Sequence, residues 1–121
     1  MDVHRKYHGG LLESAYEAAL AYLLQQKCYT VERQVYLHIF WDDVQLDQSY
    51  RLDLVVNKEI IIELKATRYF GNPERRQLWN YMNITHLKYG MLINFAPDGL
   101  YSEWYIRQEN GTIDKVKYHQ L

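Results

Sequence analysis

The sequence predicts an α/β or α+β fold in which helices cover a sheet, and three observations lead there. An Ala- and Leu-rich run near the N-terminus carries helical composition, three strand-like segments follow it, and a second helical period separates these from a further apolar strand and a closing hairpin. Helical and extended segments thus alternate through the middle of the chain, as they do where helices lie on a sheet.

Leu11 to Lys27 lacks proline and β-branched residues and is rich in Ala, Leu and Glu, which predicts a helix of several turns starting near Glu13. Val31, Val35, Leu37 and Ile39 mark a strand over Val31 to Trp41, and the polar stretch Asp42 to Ser49 is expected to be a turn or loop. Tyr50 to Val56 and Glu59 to Ala66 then form a hairpin about Asn57-Lys58. Pro73, after Gly71-Asn72, suits the first turn of a helix ending near His86, with Leu78, Tyr81, Met82 and Thr85 as its buried stripe. Tyr89 to Phe95 is an apolar strand and Ala96-Pro-Asp-Gly99 a turn. Leu100 to Arg107 and Thr112 to Tyr118 complete an extra C-terminal hairpin around Asn110-Gly111.

The chemistry concentrates in the central hairpin. Asp53 stands between leucines, where a carboxylate destabilises a strand interior unless something uses it. Glu63 and Lys65 share one face of the next strand because side chains alternate with period two. A two-residue turn at Asn57-Lys58 would put Glu63 on the opposite face from Asp53. A three-residue loop, Asn57-Lys58-Glu59, pairs Asp53 with Glu63 and Arg51 with Lys65. In that register two carboxylates and an ammonium suit a divalent cation beside an activated water.

Composition narrows the alternatives. Residues 1–121, 48% hydrophobic, are expected to form one domain, and a formal net charge of −1 leaves any phosphate contact to a local patch. A lone Cys28 and histidines without ligand spacing argue against structural zinc and disulfides. There is no nucleophile elbow or glycine-rich phosphate loop, and no signal peptide or membrane-spanning apolar run, so a cytoplasmic protein is expected.

The array Gly10-Leu-Leu-Glu13-Ser-Ala-Tyr16, Arg51-Leu-Asp53, Glu63-Leu-Lys65 and Gln77-Leu-Trp-Asn-Tyr81 resembles the GxxExxY family of the PD-(D/E)XK nuclease-like superfamily, over roughly Gly9 to Phe95. The resemblance implies a restriction-endonuclease-like core, a mixed central sheet flanked by helices. It also implies a nuclease hydrolysing DNA, or else RNA, with Mg²⁺ or Mn²⁺. Asp53 and Glu63 match the metal-binding acids, helped by Glu13 and the Leu64 carbonyl; Lys65 matches the lysine that orients attacking water. Gln77 and Tyr81 resemble the Gln-x-x-x-Tyr element of RecB-like nucleases, where Gln77 would position phosphate or nucleophile and Tyr81 brace its helix. Cutting both strands of a duplex would require a homodimer or a larger complex.

Each residue also has a plainer reading. Glu13 stabilises a helix N-terminus through the helix dipole, Glu63 and Lys65 line the wet face of an amphipathic strand, and Gln77 and Tyr81 are an ordinary polar residue and a partly buried aromatic. A different functional class follows from the same fold, a nuclease-like binding or regulatory subunit without cleavage. Arg68, Arg75, Arg76 and Lys88, interleaved with Tyr69, Phe70 and Trp79, are candidates for a phosphate-binding rim or for a solvated helix face.

Overall fold

A computed structural model describes residues 12–117, in which helix α1 (Glu13–Gln26) precedes strands β1 (Val31–Trp41), β2 (Val44–Val56) and β3 (Ile60–Lys65). Helix α2 (Asn72–Thr85) and strands β4 (Tyr89–Ala96), β5 (Gly99–Arg107) and β6 (Ile113–Val116) follow. The six strands lie in sequence order in one sheet. All neighbours are antiparallel except β3 and β4, which run parallel because α2 carries the chain back between them. This is the mixed sheet with flanking helices that the sequence implied. Leu11 and Tyr118, assigned above to the first helix and the last strand, lie outside the described residues.

Alternation along β3 and β4 divides the core between the two faces. Ile62, Leu64, Ile93 and Phe95 pack with Tyr16, Leu20 and Ala21 of α1, whereas Ile61 and Leu92 pack with Leu78, Tyr81 and Met82 of α2. The layers are therefore helix, sheet, helix. Tyr16 is fully buried and stacks on Phe95 with ring centroids 4.0 Å apart, which anchors α1. Gly90 lets α2 approach β4, since a Cβ there would come within 2.5 Å of the Met82 sulfur. The start of α2 is closed by the Gly71 N–H, which donates to Glu74 Oε2 at 2.8 Å.

Two findings differ from the sequence expectation. Asp42 to Ser49 is not a loop: Asp42 and Asp43 alone turn the chain, Asp42 in the left-handed region at φ 53°, and β2 begins at Val44. The segment looked polar because this end of β1 and β2 leaves the sheet as an arm whose residues stay exposed on both faces. The strands also break period two. Val31 of β1 and Leu54 of β2 join the α1 side of the core, but Val35 and Leu52, their neighbours beyond Gln34 and Asp53, join the α2 side. Gln34, at φ 52°, marks the exchange on β1, and its amide donates to Glu17 of α1.

Candidate active site

The β2–β3 pairing covers Val56 with Ile60, Val55 with Ile61 and Leu54 with Ile62. That is the three-residue-loop register, with Asn57 and Lys58 both at positive φ, and its continuation sets Asp53 opposite Glu63. At this level side chains take over from the ladder. The Asp53 N–H donates to Glu63 Oε1 at 3.1 Å, and the Leu64 N–H donates to Asp53 Oδ2 at 2.8 Å, so each carboxylate is held by a peptide group of the other strand. The strand irregularity and the crossed carboxylates occupy the same point of the chain.

Glu63 is 3% exposed, and burial, followed by the neighbouring Asp53 carboxylate, pushes its carboxyl up to about 8. Tyr81 is also raised, first by burial and then by the negative charge of Glu63 and Asp53. Lys65 stands next along the same strand and donates from Nζ to Gln77 Oε1 of α2 at 3.4 Å. Glu13, Asp53, Glu63, Leu64, Lys65, Gln77 and Tyr81 all line one cleft of about 620 Å³, contributed by α1, β2, β3 and α2. Residues 68 positions apart in sequence thereby meet.

The donor set suits a hard divalent cation. Among the described residues no group of three acidic, histidine or cysteine side chains is arranged to hold a metal, and Asp53 and Glu63 stand as a pair with Glu13 apart from them. Mg²⁺ is commonly bound by one or two carboxylates, with waters and substrate phosphate filling the remaining positions. Two adjoining carboxylates, one buried and shifted toward its neutral form, are the negative charge such an ion would relieve.

The basic residues flagged in the sequence do not gather at this cleft. Arg75 donates from Nε and Nη2 to the two carboxylate oxygens of Glu103 at 2.7 and 2.9 Å and lies 5.2 Å over the Phe70 ring, so both residues serve packing between α2 and β5. Trp79 packs edge-on against Tyr105. Lys88 lies over Tyr89, and Arg68 lines a separate depression with Tyr69, Pro97 and Asp98.

Sequence reasoning missed two polar groups that position the site. Glu17, one turn after Glu13, is 4% exposed and receives Arg33 and Gln34 of β1, tying α1 to the strand beside Asp53. Asn94, 1% exposed and opposite Lys65 in the β3–β4 register, bonds both backbone groups of Thr67 at 3.1 and 3.0 Å and fixes the exit of β3. Their signals were an acid on the helical face of Glu13 and an asparagine inside an apolar strand.

The comparisons with known proteins agree with this architecture. The crystal structure of SSO0001 matches with a TM-score of 0.57 at 22% identity, covering 76% of this chain and 48% of that one, a likeness of fold. This chain spans about half the length of that protein. No curated protein matches the chain. Residues 1–107 match the family model of the PD-(D/E)XK nuclease superfamily. With most of its length matched and a mixed sheet between two helices as its frame, the chain belongs to the PD-(D/E)XK nuclease superfamily.

Proposed function

We propose that the cleft is the active site of a metal-dependent nuclease that hydrolyses phosphodiester bonds of DNA or RNA, in a chain of the GxxExxY type. The observation that carries this reading is the crossed pair of half-buried Asp53 and buried Glu63, side by side with Lys65 next to them in the cleft. Asp53, Glu63 and the Leu64 carbonyl would hold Mg²⁺ or Mn²⁺, with Glu13 available at the edge of the cleft. Such an ion, when bound, polarises the phosphoryl oxygen and offsets the negative charge of the transition state.

The chain's own residues supply the rest. Peptide N–H groups aim both carboxylates, so no side-chain search precedes binding. Lys65 Nζ holds the attacking water in line with the scissile bond, and the water's proton passes to a carboxylate oxygen of the cleft. Gln77, whose Oε1 accepts from Lys65 and whose side chain also bonds Tyr81, has a second amide N–H to offer a phosphate oxygen. Tyr81, 4% exposed and packed edge-on to Tyr50, braces α2 against β2.

Single-turnover cleavage of labelled DNA and RNA with Mg²⁺ and Mn²⁺, by wild type and Lys65→Ala, tests the reading. Lys65→Ala should slow cleavage by about 10²- to 10⁴-fold and leave Mn²⁺ affinity nearly unchanged, because an ammonium cannot ligate a cation. Equal rates would remove Lys65 from the mechanism. Nucleic-acid binding without cleavage of any substrate would make the protein a binding subunit instead.

A further inference from the structure

We propose that Tyr36 and Arg51, at the base of the β1–β2 arm, form a grip for one nucleotide of single-stranded nucleic acid leading into the cleft. The proposal rests on the nuclease reading of that cleft and names its substrate class.

Tyr36 and Arg51 are direct partners in the antiparallel register of β1 and β2, so their side chains share a face as close neighbours. Both line the cleft that holds Asp53 and Glu63. Tyr36 is 58% exposed although its ring is large enough to fill a core position. The Arg51 side chain is exposed and, among the described residues, makes no hydrogen bond or ion pair. Arg33, Arg75 and Arg107 are committed to Glu17, Glu103 and Asn83. A flat ring beside an uncommitted guanidinium is what a nucleotide requires, a stacking surface for the base and a cation for its phosphate.

The same features select a single strand. In a duplex each base face is covered by the next base pair, and a ring on a strand reaches a base only where the stack is open. The path is bounded at the far end of the arm. Residues 40–48 carry Asp42, Asp43 and Asp47 and no lysine or arginine, so a phosphate chain is repelled from the tip and held to the base of the arm, next to the reacting acids.

Fluorescence anisotropy with labelled single-stranded DNA, single-stranded RNA and duplex DNA, in a Lys65→Ala background with Mg²⁺, measures the grip without turnover. Adding Tyr36→Ala should weaken single-strand binding about tenfold or more while leaving duplex binding unchanged, and Tyr36→Trp should restore it. Arg51→Ala should reduce the slope of log affinity against log salt by about 0.7, one phosphate contact on a single strand. The proposal is overturned by unchanged single-strand affinity in Tyr36→Ala, by equal losses on single strand and duplex, or by no single-strand binding in the parent. Cleavage by the otherwise wild-type chain, run alongside, separates the two readings: cleavage without a Tyr36 effect removes only the grip, and a Tyr36 effect on binding without cleavage removes only the nuclease.

Discussion

Two glutamates on this sheet, the buried Glu63 and the half-buried Glu103, have opposite surroundings. Glu103 is drawn upward by burial, but hydrogen bonds from Arg75 and Tyr105 and the charges of Arg75 and Lys115 hold its carboxyl down at about 2. Glu63 is drawn upward by burial too, and the neighbouring Asp53 carboxylate outweighs the opposing charge of Lys65, so it rises to about 8. One acid sits in a site whose charges are already balanced within the protein. The other sits beside a second carboxylate, the negative charge that the proposed cation would offset. A buried acid alone therefore says little about function; the sign of its neighbour separates a structural pair from a binding site.

The sharpest way to break this contrast is to neutralise Asp53. Asp53→Asn removes a donor from the proposed metal pair, and Mn²⁺ affinity measured by calorimetric titration should fall by about 100-fold or more, as loss of a first ligand costs at least as much as loss of its supporting partner. The metal-free protein should be no less stable than wild type in urea, because the change also relieves the repulsion on Glu63. Unchanged affinity would mean that Asp53 is not a ligand and that its contact with Glu63 is structural.

The two regions also differ in how far the sequence reveals them. Asp53, Glu63 and Lys65 were legible because each interrupts an apolar run, and the loop Asn57-Lys58-Glu59 carried the register that brings the first two together. Glu103 was not, since an acid in Leu100 to Arg107 reads as one polar residue in an alternating strand. Its partner Arg75 is 28 residues away on α2 and looked like part of a phosphate rim. The helix–sheet order follows from local composition and turn chemistry, whereas the mixed sheet was implied by the family resemblance. The face exchange at Gln34 and Asp53 does not, because a left-handed glutamine leaves no mark on the hydrophobic pattern. The β2 half of the arm was missed for a related reason: a strand exposed on both faces has no reason to alternate.

Glu103→Gln sharpens the other half of the comparison. The substitution keeps the shape but removes the charge that two guanidinium nitrogens and Lys115 share, and it should lower stability by roughly 2 to 3 kcal/mol in urea denaturation. Metal affinity should stay within about twofold of wild type, since Glu103 does not line the cleft. A loss of metal binding in this variant would mean that the structural cluster supports the site and that the two regions are not separate.

The smallest effect is a pH dependence, and its sign follows from the direction of the Glu103 shift. A carboxyl lowered from its ordinary 4.5 to about 2 on folding contributes its full stabilisation above pH 4.5 and loses it progressively as pH falls through 2, below which both folded and unfolded forms bind the proton. Glutamine at 103 does not titrate, so the stability difference between wild type and Glu103→Gln should be greatest above pH 4.5 and narrow steadily below it. Urea midpoints for the two proteins at matched pH values give this difference directly, and the titration of every other carboxylate cancels in the comparison. A difference that stays constant from pH 6 down to the lowest pH at which both proteins fold would mean that Glu103 acts through packing and hydrogen-bond geometry, not through its charge.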